Sequence, residues 1–217
     1  MQVLPLILLL LGIGAASWFA WISIQSLLQA RALFRLARLP RSAPDERGCQ
    51  AFYGRVRVSR GVSKGFGELL WCRTDHQVYR RRGKSSGWKT ERSEEETAEF
   101  VVEAHEVGVS LAEYPTEVQD LRSKTIVHNR TGLFGWGHAS GDRRTVYSYL
   151  PVVPMATIVG RLARSGGLER DNKLGLLLSP HEPGRAATQE LWKGLLGLLA
   201  VTGVLALALT LYGQSRR

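Results

Sequence analysis

A two-span membrane protein with a single β-rich domain between its spans is the fold class this sequence predicts. Three observations predict it. An uncharged apolar run closes the chain, a second apolar run opens it, and the residues between them change to short alternating stretches separated by turn residues. The closing run, LWKGLLGLLAVTGVLALALTLY (191–212), carries no charged residue from Gly194 to Tyr212. As a helix those residues span about 28 Å, close to the ~30 Å of bilayer hydrocarbon. Helix is the form a lone segment takes in lipid, because it satisfies its own backbone hydrogen bonds. Lys193 stands at one end, Arg216 and Arg217 at the other, and Tyr212 is placed for an interfacial belt. This span is assigned to 190–213, with a short basic tail at 214–217.

The opening run, MQVLPLILLLLGIGAASWFAWISIQSLLQ, is assigned as the first span, 1–30. It is too long for the apolar part of a signal peptide and has no basic residue ahead of it. Pro5 falls in the first turn, where its missing N–H costs little. Gly12, Ala16 and Ala20 recur every fourth residue, a small-residue stripe of the kind that lets membrane helices approach closely. Two readings of the stripe stand: a packing face, for the second span or for another copy of the chain, and ordinary lipid-facing composition. Arg31, Arg35, Arg38 and Arg41 follow at once, the first three on one helical stripe. They predict a helix that continues into the headgroup layer, binds anionic headgroups and ends at Leu39, before Pro40. The same bias of basic residues places this side of the membrane in the cytoplasm. The expected location is a bacterial inner membrane, crossed twice, with the central domain cytoplasmic. Residues 31–48 form this basic segment and its linker.

The formal charge is +10, and the chain between the spans holds 26 basic and 19 acidic residues, a net of +7. A basic domain tethered at both ends suits anionic lipid. No nucleic-acid motif accompanies the charge, so nucleic acid is not an expected partner. Cys49 and Cys72 exclude a disulfide scaffold. The five histidines, His76, His105, His128, His138 and His181, show no ligand spacing, so neither metal nor cofactor is expected.

The β-rich domain is assigned to 49–184. Within it AFYGRVRV (51–58) alternates, with Tyr53, Arg55 and Arg57 on one face and Phe52, Val56 and Val58 on the other. SRGVSKGFG reads as a turn-rich connection. Residues 69–82 and 88–96 read as a long hairpin around GKSSG, with Glu94, Glu95 and Glu96 as its solvated end. Short strands follow at 100–103 and 108–112, an extended stretch at 116–128, and strands at 147–150, 156–163 and 174–178. Many short strands at regular spacing predict a barrel or sandwich.

Little in this domain carries covalent chemistry. GLFGWGH lacks the Gly-Lys-Ser/Thr ending and helix of a phosphate loop. Neither a GxSxG elbow nor HExxH nor SxxK is present. Asp75 and His76 are adjacent on a strand, so their side chains face opposite ways. The Asn129-Arg130-Thr131 sequon is idle in a cytoplasmic domain. Two surfaces are candidates for binding. Arg80, Arg81, Arg82, Lys84 and Lys89 gather on the hairpin, as a docking surface or as a merely solvated tip. Phe134 and Trp136 sit in a Gly-rich loop, where they dip into an interface, grip a partner or pack in the core.

Four stretches together carry a resemblance: FYGRVRV from Phe52, ELLWCRTDHQVYRRRGKSSGWKTERSEEETAEFVV from Glu68, VGVSLAEYPTEV from Val107, and YSYLPVVPMATIVGRLAR from Tyr147. With the flanking spans, the chain resembles the GIDE family and its BAM ("beside a membrane") domain, whose members include a mitochondrial outer-membrane E3 ubiquitin and SUMO ligase. The resemblance implies a membrane-anchored sensing or scaffold domain of an E3-ligase-like family. In the ligases a RING finger follows the second span and holds two zinc ions with eight Cys/His ligands. Here GQSRR follows Tyr212, so no zinc or catalytic residue carries over. The expected function is therefore membrane-anchored binding of a protein partner whose identity the residues do not give. The enzymatic alternative is a ligase component working with a separate E2-binding subunit.

Overall fold

The computed structural model describes residues 3–39, 48–82, 85–104, 107–128, 138–164, 166–172 and 174–214. The chain divides into two compact units: Met1–Arg47 with His181–Arg217, and Gly48–Pro180. The first is a pair of helices, the second a β-rich domain.

Helix α1 (Val3–Arg38) and helix α2 (Pro183–Gln214) form the helical unit. Both are long and apolar enough to cross a membrane, with mean hydropathies of 1.4 over Leu10–Arg38 and 2.3 over Pro183–Gly213. They run antiparallel: a Cβ on Gly12 would meet Ala208, one on Gly197 would meet Ser23, and one on Gly194 would lie 2.7 Å from Leu27. The seam of α1 buries Ala16, Ser23 and Ala30, a seven-residue repeat of small side chains. Ser23 satisfies its hydroxyl by donating to the Phe19 carbonyl at 2.7 Å, so no polar group is stranded there. Gly12 and Ala16 of the small-residue stripe thus face α2 of the same chain, and another copy could use that face only by displacing α2. Away from the seam the helices are not a buried core. Trp18 and Leu199 are each 66% exposed and Leu209 is 63% exposed.

The β domain holds two sheets among the described residues. In the first, β1 (Cys49–Arg60) lies between β5 (Glu99–Ala104) and β10 (Met155–Leu162), all antiparallel. Beyond β5 comes β6 (Val107–Ser110); beyond β10 come β12 (Leu177–Ser179) and the two-residue β7 (Glu117–Val118), with β11 (Leu168–Glu169) also on β10. In the second sheet β3 (Gly67–Arg82) is central. It pairs on one side with β2 (Val62–Lys64) and β4 (Ser85–Thr97), and on the other with β9 (Arg143–Pro151), which pairs with β8 (Arg122–Val127).

The sequence explains this layout. Phe52, Val56 and Val58 alternate along β1 and meet Ile158 of β10 and Val102 and Phe100 of β5 in register. With Leu178 and Val109 they form one wall of the core, and Leu70, Cys72 and Leu150 of the second sheet belong to the same cluster. The chain moves between sheets at single-residue corners: Gly61 between β1 and β2, Ala98 between β4 and β5. β10 is buried at Ala156, Thr157, Ile158 and Val159 in succession, as a continuous apolar run requires.

The acidic run lies near the open end of the hairpin: Glu94, Glu95 and Glu96 pair with Thr74, Arg73 and Cys72 and are half-buried to exposed. Two expectations are corrected. The turn-rich connection after β1 contains β2. The extended stretch 116–128 is two strands in different sheets, with Asp120 in the left-handed region (φ 58°) at the corner. A short polar side chain tolerates that corner better than a branched one.

Candidate functional site

The β3–β4 hairpin pairs from Trp71↔Thr97 to Arg82↔Ser85. A bulge at His76/Gln77 resets the register of its outer half. Beyond the bulge one face carries Val78, Lys89 and Arg80, with Arg143 opposite Val78 on β9. The other face carries Gln77, Tyr79, Trp88 and Arg144.

That second face is tied together tightly. The rings of Tyr79, Trp88 and His138 meet pairwise, with centroids 4.9–5.4 Å apart. The Arg144 guanidinium lies 4.3 Å from the Trp88 ring centroid, a cation–π contact. Arg144 Nε donates to Gln77 Oε1 at 2.8 Å, and Gln77 Nε2 donates to Thr90 Oγ1 at 3.2 Å. The turn before β9 is strapped to this end of β3: Gly141 N donates to the Tyr79 carbonyl, and Tyr79 N donates to the Asp142 carbonyl. The buried Asp142 carboxylate accepts the Ala139 N–H at 2.9 Å. Gly141 has φ +101°, which this turn needs and a Cβ would strain. His138 Nδ1 lies 3.7 Å from Asp142 Oδ2, too long for a hydrogen bond, and has no hydrogen-bond partner among the described residues.

The hairpin end and the 140–141 turn enclose an open groove of about 670 Å³, lined by Arg80, Arg81, Lys89, Ser85, Ser86 and Ser140. Arg80 is committed to Glu91 at 3.0 Å. Arg81 and Lys89 are exposed and make no ion pair or side-chain hydrogen bond among the described residues. The groove is therefore bordered by positive charge without an ionic partner among the described residues, Lys89 on the Val78 face of the hairpin and Arg81 on the Tyr79 face. It suits an anionic group.

Elsewhere, one hydroxyl meets two imidazoles: Thr145 Oγ1 is 2.7 Å from His128 Nε2 and 3.3 Å from His76 Nδ1. Thr145 is buried, His76 is half-buried and His128 is exposed at the end of β8, so the trio ties the β8 edge to β9 and β3. Burial pushes the Cys72 thiol above its ordinary 9.0, which makes it a poor nucleophile. Cys49 and Cys72 are both free and buried. Among the described residues no three His, Cys, Asp or Glu side chains converge as a metal site.

Of the sequence-predicted residues, the structure brings Arg80, Arg81 and Lys89 to one groove. Arg82 pairs with Ser85 at the end of the ladder, and its side chain is outside the described residues. Lys84, Phe134, Trp136 and Arg41 lie outside them as well. Arg31, Arg35 and Arg38 are exposed on the last turns of α1, where cations favour the carbonyl end of the helix. Sequence reasoning missed the Tyr79–Trp88–His138–Arg144 cluster. Alternation along the two strands could have paired Tyr79 with Trp88. Arg144, 67 residues from its partner Gln77, leaves no local signal.

Compared with family models, curated proteins and solved structures, the chain matches none.

Proposed function

We propose that this chain is a membrane-anchored binding protein: α1 and α2 cross the bilayer as a hairpin and the β domain presents its basic hairpin groove to anionic lipid headgroups. The apolar coat of the helices carries this reading. Leu196, Leu199, Leu207 and Leu209 are all at least 60% exposed, and no charged residue interrupts α2 from Gly194 to Tyr212. Such a coat is costly in water at about 25 cal/mol per Å² of apolar surface. Arg31, Arg35 and Arg38 fit the cytoplasmic headgroup layer, which supports a cytoplasmic domain. A scaffold or sensor role of the GIDE type, with a protein partner docking on the same domain, is part of this proposal and is supported by the four sequence stretches alone.

Two experiments test it. Alkaline carbonate should leave the full chain in the membrane pellet; release into the supernatant would end the anchoring reading. Reversing Arg81 and Lys89 to Glu should weaken co-sedimentation of the detergent-purified chain with phosphatidylserine vesicles. At about 1 kcal/mol per basic residue near the surface, the loss is expected to be at least tenfold. Unchanged binding would remove the groove as the lipid surface.

A further inference from the structure

The second sheet ends in two open edges of opposite charge. At one edge lies β4, thirteen residues long, which carries Glu91, Glu94, Glu95 and Glu96 against Lys89 and Arg92, with the acidic run at its C-terminal end. At the other lies β8, which carries Arg122 and Lys124 and is exposed at all six residues. Each pairs on one side only among the described residues.

The rows of residues that run across the sheet connect these charges. Glu96 lies opposite Cys72, Cys72 opposite Tyr149, and Tyr149 opposite Arg122. Two residues along, Glu94, Thr74, Tyr147 and Lys124 share the next row on the same face. Between them run Glu95, Arg73, Ser148 and Ser123. Shifting a copy of the sheet along its hydrogen-bonding direction therefore sets Arg122 beside Glu96 and Lys124 beside Glu94 with no slip along the strands. Strand direction is right too. All pairings in the four-strand order β4-β3-β9-β8 are antiparallel, so β8 of one copy meets β4 of the next antiparallel as well.

We infer that a second copy of this chain docks edge to edge, its β4 continuing the sheet beside β8 of the first. Charge selects this pairing over the others. Directly opposed like charges destabilise a ladder and opposite charges support it, so the acidic run of β4 is matched by the basic β8 better than by a second acidic run, and β8 better by β4 than by a second β8. Each acceptor has capacity left. Glu96 meets Lys64 and Glu94 meets Arg92 through one oxygen each. The contact is head-to-tail.

Disulfide trapping of the full chain in native membranes tests this. Glu95→Cys and Ser123→Cys share a row, and in one chain they stand about 14 Å apart across three strand spacings, too far to bridge. Cys49 and Cys72 are buried and contribute no background. Co-expressed single variants should give a crosslinked heterodimer, and each variant alone should give none. Lys124→Glu should cut the yield at least tenfold, and adding Glu94→Lys to the partner chain should restore it. Overturning outcomes are a homodimer from Ser123→Cys alone, monomer throughout, or failure of the charge swap to restore the crosslink while both chains remain folded by circular dichroism.

Discussion

Replacing Gly54 by Ala is the sharpest test of how the first sheet is built. Gly54 is buried on β1, between Ala156 of β10 and the backbone of β5. A Cβ there would lie 2.5 Å from the Glu103 carbonyl carbon, nearer still to its oxygen, and 3.0 Å from the Ala104 nitrogen. These are backbone atoms, so no side chain can rotate away. Relief requires β5 to withdraw by about 1 Å, which stretches neighbouring ladder bonds beyond their working length. One or two such bonds at about 1 kcal/mol each, with overpacking strain of about 1–3 kcal/mol, sum to roughly 2–4 kcal/mol. For a domain of this size that lowers the melting temperature by roughly 10 °C. The assay is urea and thermal unfolding of the full chain in detergent, followed by tryptophan fluorescence, with Trp71 as a core reporter. Gly87→Ala is the comparator: it lies in β4 with nothing within 4 Å of its Cβ and should change stability by less than about 0.5 kcal/mol. Equal effects at the two sites would refute the close approach of β1 and β5.

Alkaline pH should weaken the β domain. The Cys72 thiol is raised by burial, and Lys64 is raised chiefly by its hydrogen bond to Glu96. In both cases the folded state holds its proton more tightly than the unfolded one. Their stabilisation is complete below the ordinary values, 9.0 and 10.5, and is lost as pH rises through the higher folded values. Unfolding midpoints should fall above about pH 9, and Cys72→Ala should flatten the onset. Asp142→Ala strands the Ala139 N–H and should cost about 1–3 kcal/mol, read as faster hydrogen exchange in the 138–142 turn. Gly194→Leu places a large side chain against Leu27 and Ser23, so it should separate α1 from α2. Cysteine pairs across the seam should then crosslink several-fold less.

The sequence by itself determined the two apolar helices, the β texture between them and most strand positions, because each rests on local periodicity. Alternation in 51–58 places the side chains of β1, and the charge-free run after Gly194 marks most of α2. It also brought Arg80, Arg81 and Lys89 together, since hairpin neighbours are close in the chain. The tertiary structure decided what depends on distant partners. Glu94, Glu95 and Glu96 read as a solvated hairpin end, but their partners Thr74, Arg73 and Cys72 follow only from the register of β3. Arg144 joins Trp88 only because β9 lies against β3. The Gly54 approach and the matching rows of β4 and β8 exist only once register is fixed. Register is set by pairing across the whole sheet, and no short window of residues contains it.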